Sequence, residues 1–318
     1  MQSHILDFLK RSENYISGEE ISKSLNISRA AIWKYIQDLR QNGYDIIAVP
    51  HLGYKLNSCP DKLFSEEIQH QLGTKNLGKK IIFYETVNST MDAAFQMALK
   101  GCPEGTVICA EGQTKGRGRL GRGWTSPKGK GVYMSVVLRP ALPPSEVAKL
   151  TLLSAVAVAQ AIKKNTGVAI AIKWPNDLLV NHRKVAGILT ELNAETDRVK
   201  FVIIGIGVNV NTGLGFLPMG ATSLKVETEK NISRVHLFQE ILRLMEEWYL
   251  RFQKEGFQPI ILKWKENNAT LNKRIRISDP SGYTDGVALD IDQDGGLLIR
   301  QDSGIVVKKM TGDVVLVR

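Results

Sequence analysis

The sequence is poor in the residues that build disulfide frameworks and structural metal sites. Its three cysteines, Cys59, Cys102 and Cys109, are unevenly spaced, and no C-x-x-C or His-x-x-x-His pair occurs among its 318 residues. Structural zinc sites and disulfide scaffolds both depend on regular pairs of this kind. The sequence therefore predicts neither a structural metal nor a disulfide-stapled fold.

Long apolar runs are also scarce. Residues 1–11 contain no apolar core long enough for a signal peptide. The best membrane candidate, Leu150–Ile162, is rich in alanine and falls well short of the ~20 residues that a helix needs to cross a bilayer. Hydrophobic residues make up 43% of the chain, which is ordinary for a folded protein. We therefore expect a cytoplasmic protein that does not associate with membranes.

Acidic residues are missing from one stretch in the middle of the chain. Between residues 112 and 140 there are seven basic residues and no acidic one, whereas the first 65 residues carry eight basic and seven acidic residues. The net charge of +10 points to an anionic partner such as nucleic acid or a nucleotide. The charge pattern places that surplus in a central loop and leaves the N-terminal part nearly neutral.

The first sixty residues have the pattern of a winged helix-turn-helix. Ser17 and Glu20 form a capping box for a short helix, and Ser28 caps a second helix that ends before Gly43. Two helices joined by a short turn, over residues 18–37, are typical of DNA-binding domains. Two β-prone runs within residues 44–56 then predict a hairpin in the position of a wing.

The outer face of the second helix supplies the candidate DNA-binding residues, which are Ser28, Arg29, Trp33, Lys34 and Gln37. Arginine, lysine and glutamine side chains can pair with base edges. The near-neutral charge argues against binding through phosphate contacts alone, since these need many cations. A small helical docking module with a solvated charged face is the alternative that the pattern leaves open.

The central part of the chain predicts an α+β fold with a mixed sheet. Strand-like runs dominate, and helical runs are interspersed without regular β-α-β alternation. The predicted helices cover residues 91–100, 145–165, 233–254 and 259–267. The predicted strands cover residues 81–84, 106–110, 132–138, 169–173, 177–180, 184–192 and 201–210.

The segment Lys115–Trp124, here called the Gly/Arg loop, carries the most informative chemistry. It interleaves glycines, which permit close approach to a ligand, with three arginines, whose forked cations suit phosphate and carboxylate. It lies between two predicted strands, which makes a disordered RG-type tail the weaker alternative. We predict a loop that binds an anion derived from a nucleotide and that becomes ordered when the anion arrives.

Two literal nucleotide motifs fail on their context. The run from Gly73 to Lys79 has the spacing of a phosphate loop, but Lys80 stands where Ser or Thr should bind magnesium, and no buried strand precedes it. Gly116–Gly121 matches G-x-G-x-x-G, but the residues that follow cannot form the helix that the dinucleotide motif needs. Neither match supports nucleotide binding.

A second constellation follows at two strand ends. "KWPND" (residues 173–177) leaves one strand through a proline turn, and Lys184 begins the next strand. On their own these residues also fit a solvated lysine and an aspartate that caps a turn.

The segments "GRGRLGRGW", "KWPNDLLV", "KVAGILTEL" and "IGIGVNVN" together resemble the bacterial biotin protein ligases. The resemblance extends over essentially the whole chain and includes the N-terminal helix-turn-helix of the bifunctional ligase-repressor subtype. It implies a winged helix-turn-helix at residues 1–62, a ligase domain of the biotin/lipoate type at 63–270 and a small SH3-like β-barrel at 271–318. Turn sequences at 279–282, 294–296 and 302–304 fit that barrel, which on sequence alone shows no chemistry.

The resemblance also implies substrates and site residues. ATP and biotin would be the substrates, with Mg²⁺, and Lys184 and Arg119 would be the catalytic pair. The residues implied to bind biotin are Ser89, Thr90, Met91, Gln113, Arg117, Gly118, Arg119 and Lys184. The residues implied for the nucleotide are Arg122, Trp124, Asn176 and Asn209, and Asp177 is the candidate magnesium ligand. Met91 departs from the asparagine common in the family, which puts a side-chain role there in doubt.

The implied partners are a biotin carboxyl carrier protein domain, as in acetyl-CoA carboxylase, operator DNA and a second copy of the chain once the adenylate is bound. Two alternatives stay open at this point. One is a lipoate-type acyl ligase that shares the fold, and the other is a ligand-sensing repressor without catalysis.

Overall fold

The computed structural model describes residues 2–279 and 282–317. The chain divides into two compact units, Met1–Lys62 and Leu63–Arg318. Each unit has its own buried apolar residues, and each is described by itself.

The N-terminal unit is a winged helix-turn-helix, as predicted. Its elements are α1 (Gln2–Arg11), α2 (Gly18–Leu25), α3 (Arg29–Gln41), β1 (Asp45–Val49) and β2 (Gly53–Ser58). The predicted caps are present, since Ser17 Oγ accepts from the Glu20 N–H at 3.1 Å and Ser28 Oγ accepts from the Ala31 N–H at 3.2 Å. Helix α1 was not predicted from the sequence. It forms because it buries apolar residues at helical spacing against α3 and β2.

The second unit is built on a seven-stranded sheet with the order β3-β4-β5-β9-β8-β7-β6. Its strands are β3 (Ile81–Val87), β4 (Val107–Gln113), β5 (Gly131–Leu138), β6 (Ala171–Lys173), β7 (Asp177–Val180), β8 (Arg183–Ala194) and β9 (Val199–Asn209). Strands β3 and β4 run parallel, and the other neighbouring strands run antiparallel. This arrangement confirms the predicted mixed sheet.

The helices of this unit are α4 (Ser65–Gln69), α5 (Thr90–Leu99), α6 (Val147–Thr166), α7 (Leu224–Thr228), α8 (Arg234–Glu255) and α9 (Gln258–Glu266). Helix α6 packs against α8, α9 and β8. By length and composition the stretch Pro144–Thr166 could cross a membrane, but 72% of its apolar window is buried inside the fold. A central core helix therefore accounts for its hydropathy.

The C-terminal part of this unit forms a five-stranded antiparallel sheet with the order β13-β12-β11-β10-β14. The strands are β10 (Arg274–Asp279), β11 (Gly282–Ile291), β12 (Leu297–Arg300), β13 (Val306–Lys309) and β14 (Asp313–Leu316). Predicted turns at 294–296 and 302–304 contain Gly295 and Gly304, both at positive φ. Pro280 and Ser281, at the centre of the other predicted turn, lie outside the described residues.

Candidate active site

A cavity of about 540 Å³ lies beside β8 and β9. The Gly/Arg loop, which joins β4 to β5, supplies one wall, and residues 313–316 of the C-terminal sheet supply another. Twelve of the residues implied by the resemblance line it, namely Thr90, Met91, Gln113, Arg117, Gly118, Arg119, Arg122, Trp124, Asn176, Asp177, Lys184 and Asn209. The fold thus brings together residues that lie far apart in the sequence.

The floor of the cavity is apolar because β9 carries glycines where side chains would obstruct it. A Cβ atom added to Gly207 would lie 2.5 Å from Cε2 of Trp124, and one added to Gly205 would lie 2.5 Å from the sulfur of Met91. The indole and the thioether therefore lie directly against the strand. The departure from asparagine at position 91 thus places an apolar side chain against β9 beside the cavity.

A chain of hydrogen bonds runs along one wall. The hydroxyl of Ser135 donates to Thr90 Oγ1 at 2.9 Å, and the Thr90 backbone N–H donates to Gln113 Oε1 at 2.8 Å. The Gln113 amide in turn donates to Ser126 Oγ at 2.9 Å. Because Gln113 is held at both ends, its amide presents a fixed pattern of donors and acceptors beside the cavity.

Ser89 differs from the other residues that the resemblance implies. It does not line the cavity, although it caps the start of α5. Its hydroxyl is buried and has no hydrogen-bond partner within the described residues. A buried polar group without a partner is costly, so this oxygen is a candidate to bond a ligand.

Lys184 stands over the cavity between a carboxylate and an aromatic ring. Its Nζ lies 2.5 Å from Asp177 Oδ1 and 5.4 Å from the centre of the Trp124 ring. The other Asp177 oxygen lies 3.4 Å from the Nζ of Lys173. Both oxygens of Asp177 are therefore engaged by ammonium groups, and the ammonium of Lys184 faces the space in which an anion would sit.

The Gly/Arg loop forms a closed hairpin in this structure. The Trp124 N–H donates to Gly116 O at 2.8 Å, and the Gly118 N–H donates to Arg122 O at 2.7 Å. At the tip, Leu120 adopts the left-handed conformation with φ of 54°. The crossing hydrogen bonds and this turn direct the arginine side chains toward carboxylates on other elements.

Each arginine of the loop has a carboxylate partner. Arg117 lies 2.8 Å from Asp92 and 3.0 Å from Glu191. Arg122 donates twice to Asp313, at 2.6 and 2.8 Å, and Arg119 lies 3.5 Å from the same carboxylate. These pairs offset the self-repulsion expected of a bare cationic loop, and they hold the loop without a ligand. The predicted ordering of the loop by an anion therefore stays a prediction.

Arg119 is the most buried of the three. Its guanidinium donates to Asn176 Oδ1 at 3.1 Å and to the hydroxyl of Thr311 at 3.0 Å. Burial lowers the pKa of Arg119, while the nearby carboxylates of Asp313 and Asp177 act in the opposite direction. A cation held in a partly desolvated site interacts more strongly with a phosphate than one in bulk water.

The two asparagines implied for the nucleotide are buried and hold backbone carbonyl groups. Asn176 donates to Ile188 O at 2.8 Å, and Asn209 donates to Thr222 O at 3.0 Å. Through these bonds Asn176 connects the proline turn to β8, and Asn209 ties the end of β9 to the segment before α7. Their observed contacts thus position the walls of the cavity.

Sequence reasoning missed two parts of the wall. Asp313 and Thr311 belong to the C-terminal piece that on sequence shows no chemistry, yet they contact the arginines of the loop. Residues 218–221 also line the cavity. The sequence around Asp313 favours only a turn, and residues 218–221 gave no signal. Polar turn residues do not reveal which distant loop they will contact.

The run with phosphate-loop spacing, Gly73–Lys79, is already occupied by a carboxylate of the protein. The backbone N–H groups of Lys75, Asn76 and Leu77 donate to Glu246 at 2.6, 2.6 and 2.9 Å. Glu246 is buried on α8. These amides are therefore already engaged within the protein and do not form a vacant phosphate-binding loop.

The predicted DNA-binding residues occupy the outer face of α3. Ser28, Arg29, Trp33 and Lys34 are exposed, and Gln37 is half-buried. Arg29 forms an ion pair with Glu19 of α2 at 2.8 Å.

Of the described residues, no group of three or more His, Cys, Asp or Glu side chains could hold a metal ion.

Three family models match the chain. The "Biotin/lipoate A/B protein ligase family" matches residues 83–209, an "HTH domain" matches residues 2–55 and the "Biotin protein ligase C terminal domain" matches residues 270–317. They follow one another in the order of the parts described above.

Relatives and solved structures agree with these matches. The bifunctional ligase/repressor BirA of Bacillus subtilis (strain 168) is 42% identical to this chain, over 92% of this chain and 91% of its own length. The bifunctional ligase/repressor BirA of Escherichia coli (strain K12) is 31% identical, over 90% and 88%. The biotin protein ligase from Aquifex aeolicus, solved in complex with biotin and ATP, superposes with a TM-score of 0.65 at 29% identity, over 76% of this chain and 99% of that chain. By these matches and identities, the chain belongs to the family of bifunctional biotin protein ligase/repressors.

Proposed function

We propose that this protein activates biotin with ATP and transfers it to a lysine of a biotin carboxyl carrier protein domain, and that it represses biotin genes through its N-terminal unit. One observation carries the proposal. Arg117, Arg119, Arg122 and Lys184 converge on a cavity with an apolar floor, which suits a ligand that is apolar in one part and anionic in another.

The reaction takes place in two steps. A carboxylate oxygen of biotin attacks the α-phosphorus of ATP, and the bond to the β-phosphate oxygen breaks, which gives biotinyl-5′-AMP and pyrophosphate. The neutral amine of the carrier lysine then attacks the acyl carbon, and AMP leaves with its phosphate oxygen as the amine loses a proton. Both steps concentrate negative charge on oxygens, which preorganised cations stabilise.

The side chains take distinct parts in this proposal. Lys184 and Arg119 hold the carboxylate and the α-phosphate, and Arg122 lies on the nucleotide side. Gln113, Thr90 and the unpaired hydroxyl of Ser89 bond the polar ring of biotin with help from Arg117, while Met91 packs on its apolar part. Trp124 lies with Arg122 on the nucleotide side. Rate enhancement then comes from positioning and electrostatics, without a covalent intermediate on the protein.

Magnesium enters this proposal together with ATP. Magnesium is usually bound through phosphate oxygens, water and one or two carboxylates. Asp177 is the candidate carboxylate, and it would exchange a lysine contact for the metal. In Asp177→Asn a raised Mg²⁺ requirement would support this role. Lower turnover at an unchanged requirement would leave Asp177 as the residue that positions Lys184.

The repressor role is proposed from the helix-turn-helix. A single head of this type discriminates weakly, so two copies reading two half-sites are needed. We propose that the adenylate promotes a homodimer that binds operator DNA. Sedimentation and gel-shift measurements with and without biotin and ATP test this step. Unchanged self-association together with unchanged DNA affinity would contradict it.

The decisive test of the ligase is pyrophosphate release followed by labelling of a carrier lysine. We expect release only when biotin and ATP are both present, and we expect lipoate to compete poorly with biotin. Preference for lipoate would assign the chain to the neighbouring branch of the ligase fold. Biotin-dependent DNA binding without any pyrophosphate release would indicate a sensor that has no catalytic activity.

A further inference from the structure

Trp33 is a large apolar side chain left in water on a helix that already has a buried face. It is 59% exposed, whereas Ile32, Ile36 and Leu39 of the same helix are buried in the core of the head. Within the described part of the chain, the Trp33 side chain has no hydrogen-bond or ring-stacking partner. The folding of the head therefore gives no reason for a tryptophan at this position.

The long exposed or half-buried side chains beside Trp33 on α3 are cationic or polar, and the exposed Ala30 adds only a methyl group. Arg29 precedes it by one helical turn, Lys34 follows it directly, and Gln37 lies one turn later, so all belong to the outer face or its border. Docking surfaces for other proteins are usually contiguous apolar patches. A single indole among cations and amides instead fits a surface that carries negative charge and isolated apolar groups.

The major groove of DNA is such a surface. Phosphates line its edges, and among the base edges only the C5-methyl group of thymine is apolar. In a helix-turn-helix the second helix enters this groove with its N-terminal residues toward the bases. Trp33 is the fifth residue of α3 and lies on the same side as Arg29, so it belongs to the part of the helix that faces base edges.

We propose that Trp33 reads thymine in the operator by packing its indole against C5-methyl groups in the major groove. This inference rests on the proposed DNA-binding function and adds to it a residue that determines sequence specificity. Arg29 and Lys34 supply charge at the edges of the contact. Glu19, which is paired with both Arg29 and Lys23, holds the Arg29 guanidinium on this face.

The test uses duplexes selected from a randomised DNA pool by the full-length protein with biotin and ATP. The selected duplex is then synthesised again with uracil in place of each thymine in turn, a change that removes one methyl group and nothing else. Losing the burial of one such group corresponds to about fourfold weaker binding. For the wild-type protein we expect uracil to weaken binding by this factor at one or more positions. The same substitutions should not weaken binding by Trp33→Ala, but they should still weaken binding by Trp33→Phe.

Leu262→Ala serves as the matched control, because Leu262 is an exposed apolar residue on α9 and lies in the other unit. It should leave both affinity and thymine dependence unchanged. Since Trp33 is exposed, its variants should keep the thermal unfolding of the wild-type protein.

The outcomes separate the inference from the function on which it rests. Equal sensitivity to uracil in wild type and Trp33→Ala, or no sensitivity in either, would overturn the role of Trp33 while selective DNA binding stands. A Trp33→Ala variant that changes self-association in ultracentrifugation but not DNA binding would overturn it in favour of a protein contact. If no sequence is enriched from the pool, the repressor function fails, and the inference fails with it.

Discussion

At the scale of single residues, Lys184 carries the clearest prediction. Its ammonium faces the cavity and is held by Asp177. Replacing it with alanine removes a preorganised cation from the site of developing charge, a change that typically costs a factor of about 10²–10³ in kcat. We therefore expect Lys184→Ala to lower pyrophosphate release by this factor. Lys254→Ala, an exposed lysine on α8, is the control and should match the wild type.

Gly207 supplies a second prediction at this scale. A Cβ atom there would collide with the indole of Trp124, and overpacking of this kind costs about 1–3 kcal/mol. If the indole moves away, the cost appears as lost ligand contact, equivalent to about five- to 160-fold weaker ATP binding. We expect this loss for Gly207→Ala in calorimetric titration with ATP. Gly215→Ala, where an added Cβ meets nothing within 4 Å, should bind ATP normally.

The residues of the cavity could be predicted only in part. Arg119 belongs to the Gly/Arg loop, whose residue types indicate anion chemistry by themselves, whereas the role of Lys184 is implied only by the family resemblance. Two partners of Arg119, Thr311 and Asp313, lie just before and at the start of β14, where the local sequence favours a turn and nothing more. Contacts between distant loops depend on how the elements pack, and no local pattern encodes that packing.

At the scale of elements, the Glu111–Arg234 pair ties β4 to α8. The two groups lie 2.8 Å apart and are each 3% exposed, and Glu111 also accepts the Leu63 N–H. Removing one partner leaves a buried charge without compensation, which costs about 3–5 kcal/mol. We expect Arg234→Met to lower the free energy of unfolding by this amount in urea. Arg251→Met removes an exposed pair on the same helix and should change it by less than about 0.5 kcal/mol.

Asp313 links the last strand of the C-terminal sheet to the Gly/Arg loop. Because Arg122 is largely exposed, losing this pair should change stability by less than about 1 kcal/mol. It should, however, free the loop, and mobile exposed loops are preferred sites of proteolysis. We expect trypsin to cleave Asp313→Asn severalfold faster after Arg122, and biotin with ATP to restore protection.

The control for this experiment is Asp302→Asn, which breaks a similar forked pair with Arg274 in the C-terminal sheet. Cleavage of the loop should stay at the wild-type rate in that variant. Equal cleavage of wild type and Asp313→Asn would mean that the loop is held by its own hairpin bonds.

The elements themselves were largely predictable. The capping serines of α2 and α3 and the alternating or buried β runs identified the long elements and the mixed character of the central sheet, but not its strand order. Helices α1, α4 and α7 were missed. Two of them span only five residues, Ser65–Gln69 and Leu224–Thr228, and such short helices form because of tertiary packing.

At the scale of the whole molecule, the proposed homodimer predicts how its operator is built. A dimer with two heads reads half-sites that face the same side of the duplex, so their centres are separated by whole helical turns of about 10–10.5 base pairs. Inserting about 5 base pairs between the half-sites turns one of them to the opposite side. We expect gel-shift affinity to collapse with that insertion and to recover in part with a full turn. Tolerance of both insertions would indicate heads on freely moving tethers.

The charge distribution also has meaning at this scale. The first 65 residues carry eight basic and seven acidic residues, so nearly all of the +10 net charge belongs to the rest of the chain. Weak phosphate attraction by each head keeps binding to random DNA low. In the second unit, Arg117, Arg119, Arg122 and Lys184 line the cavity in which an acyl-adenylate would sit. DNA binding by the head therefore depends on much weaker electrostatic attraction than ligand binding in the cavity does.

The loop that binds the Glu246 carboxylate has the spacing of a phosphate loop but leaves no amides for a second phosphate site. A row of inward-pointing backbone amides can bind a phosphate, but here these amides already donate their hydrogen bonds to the carboxylate of Glu246. We therefore expect ATP and pyrophosphate not to compete for the amides that join α8 to the segment before β3. Ligands can then bind in the cavity while this junction of the supporting fold keeps its hydrogen bonds.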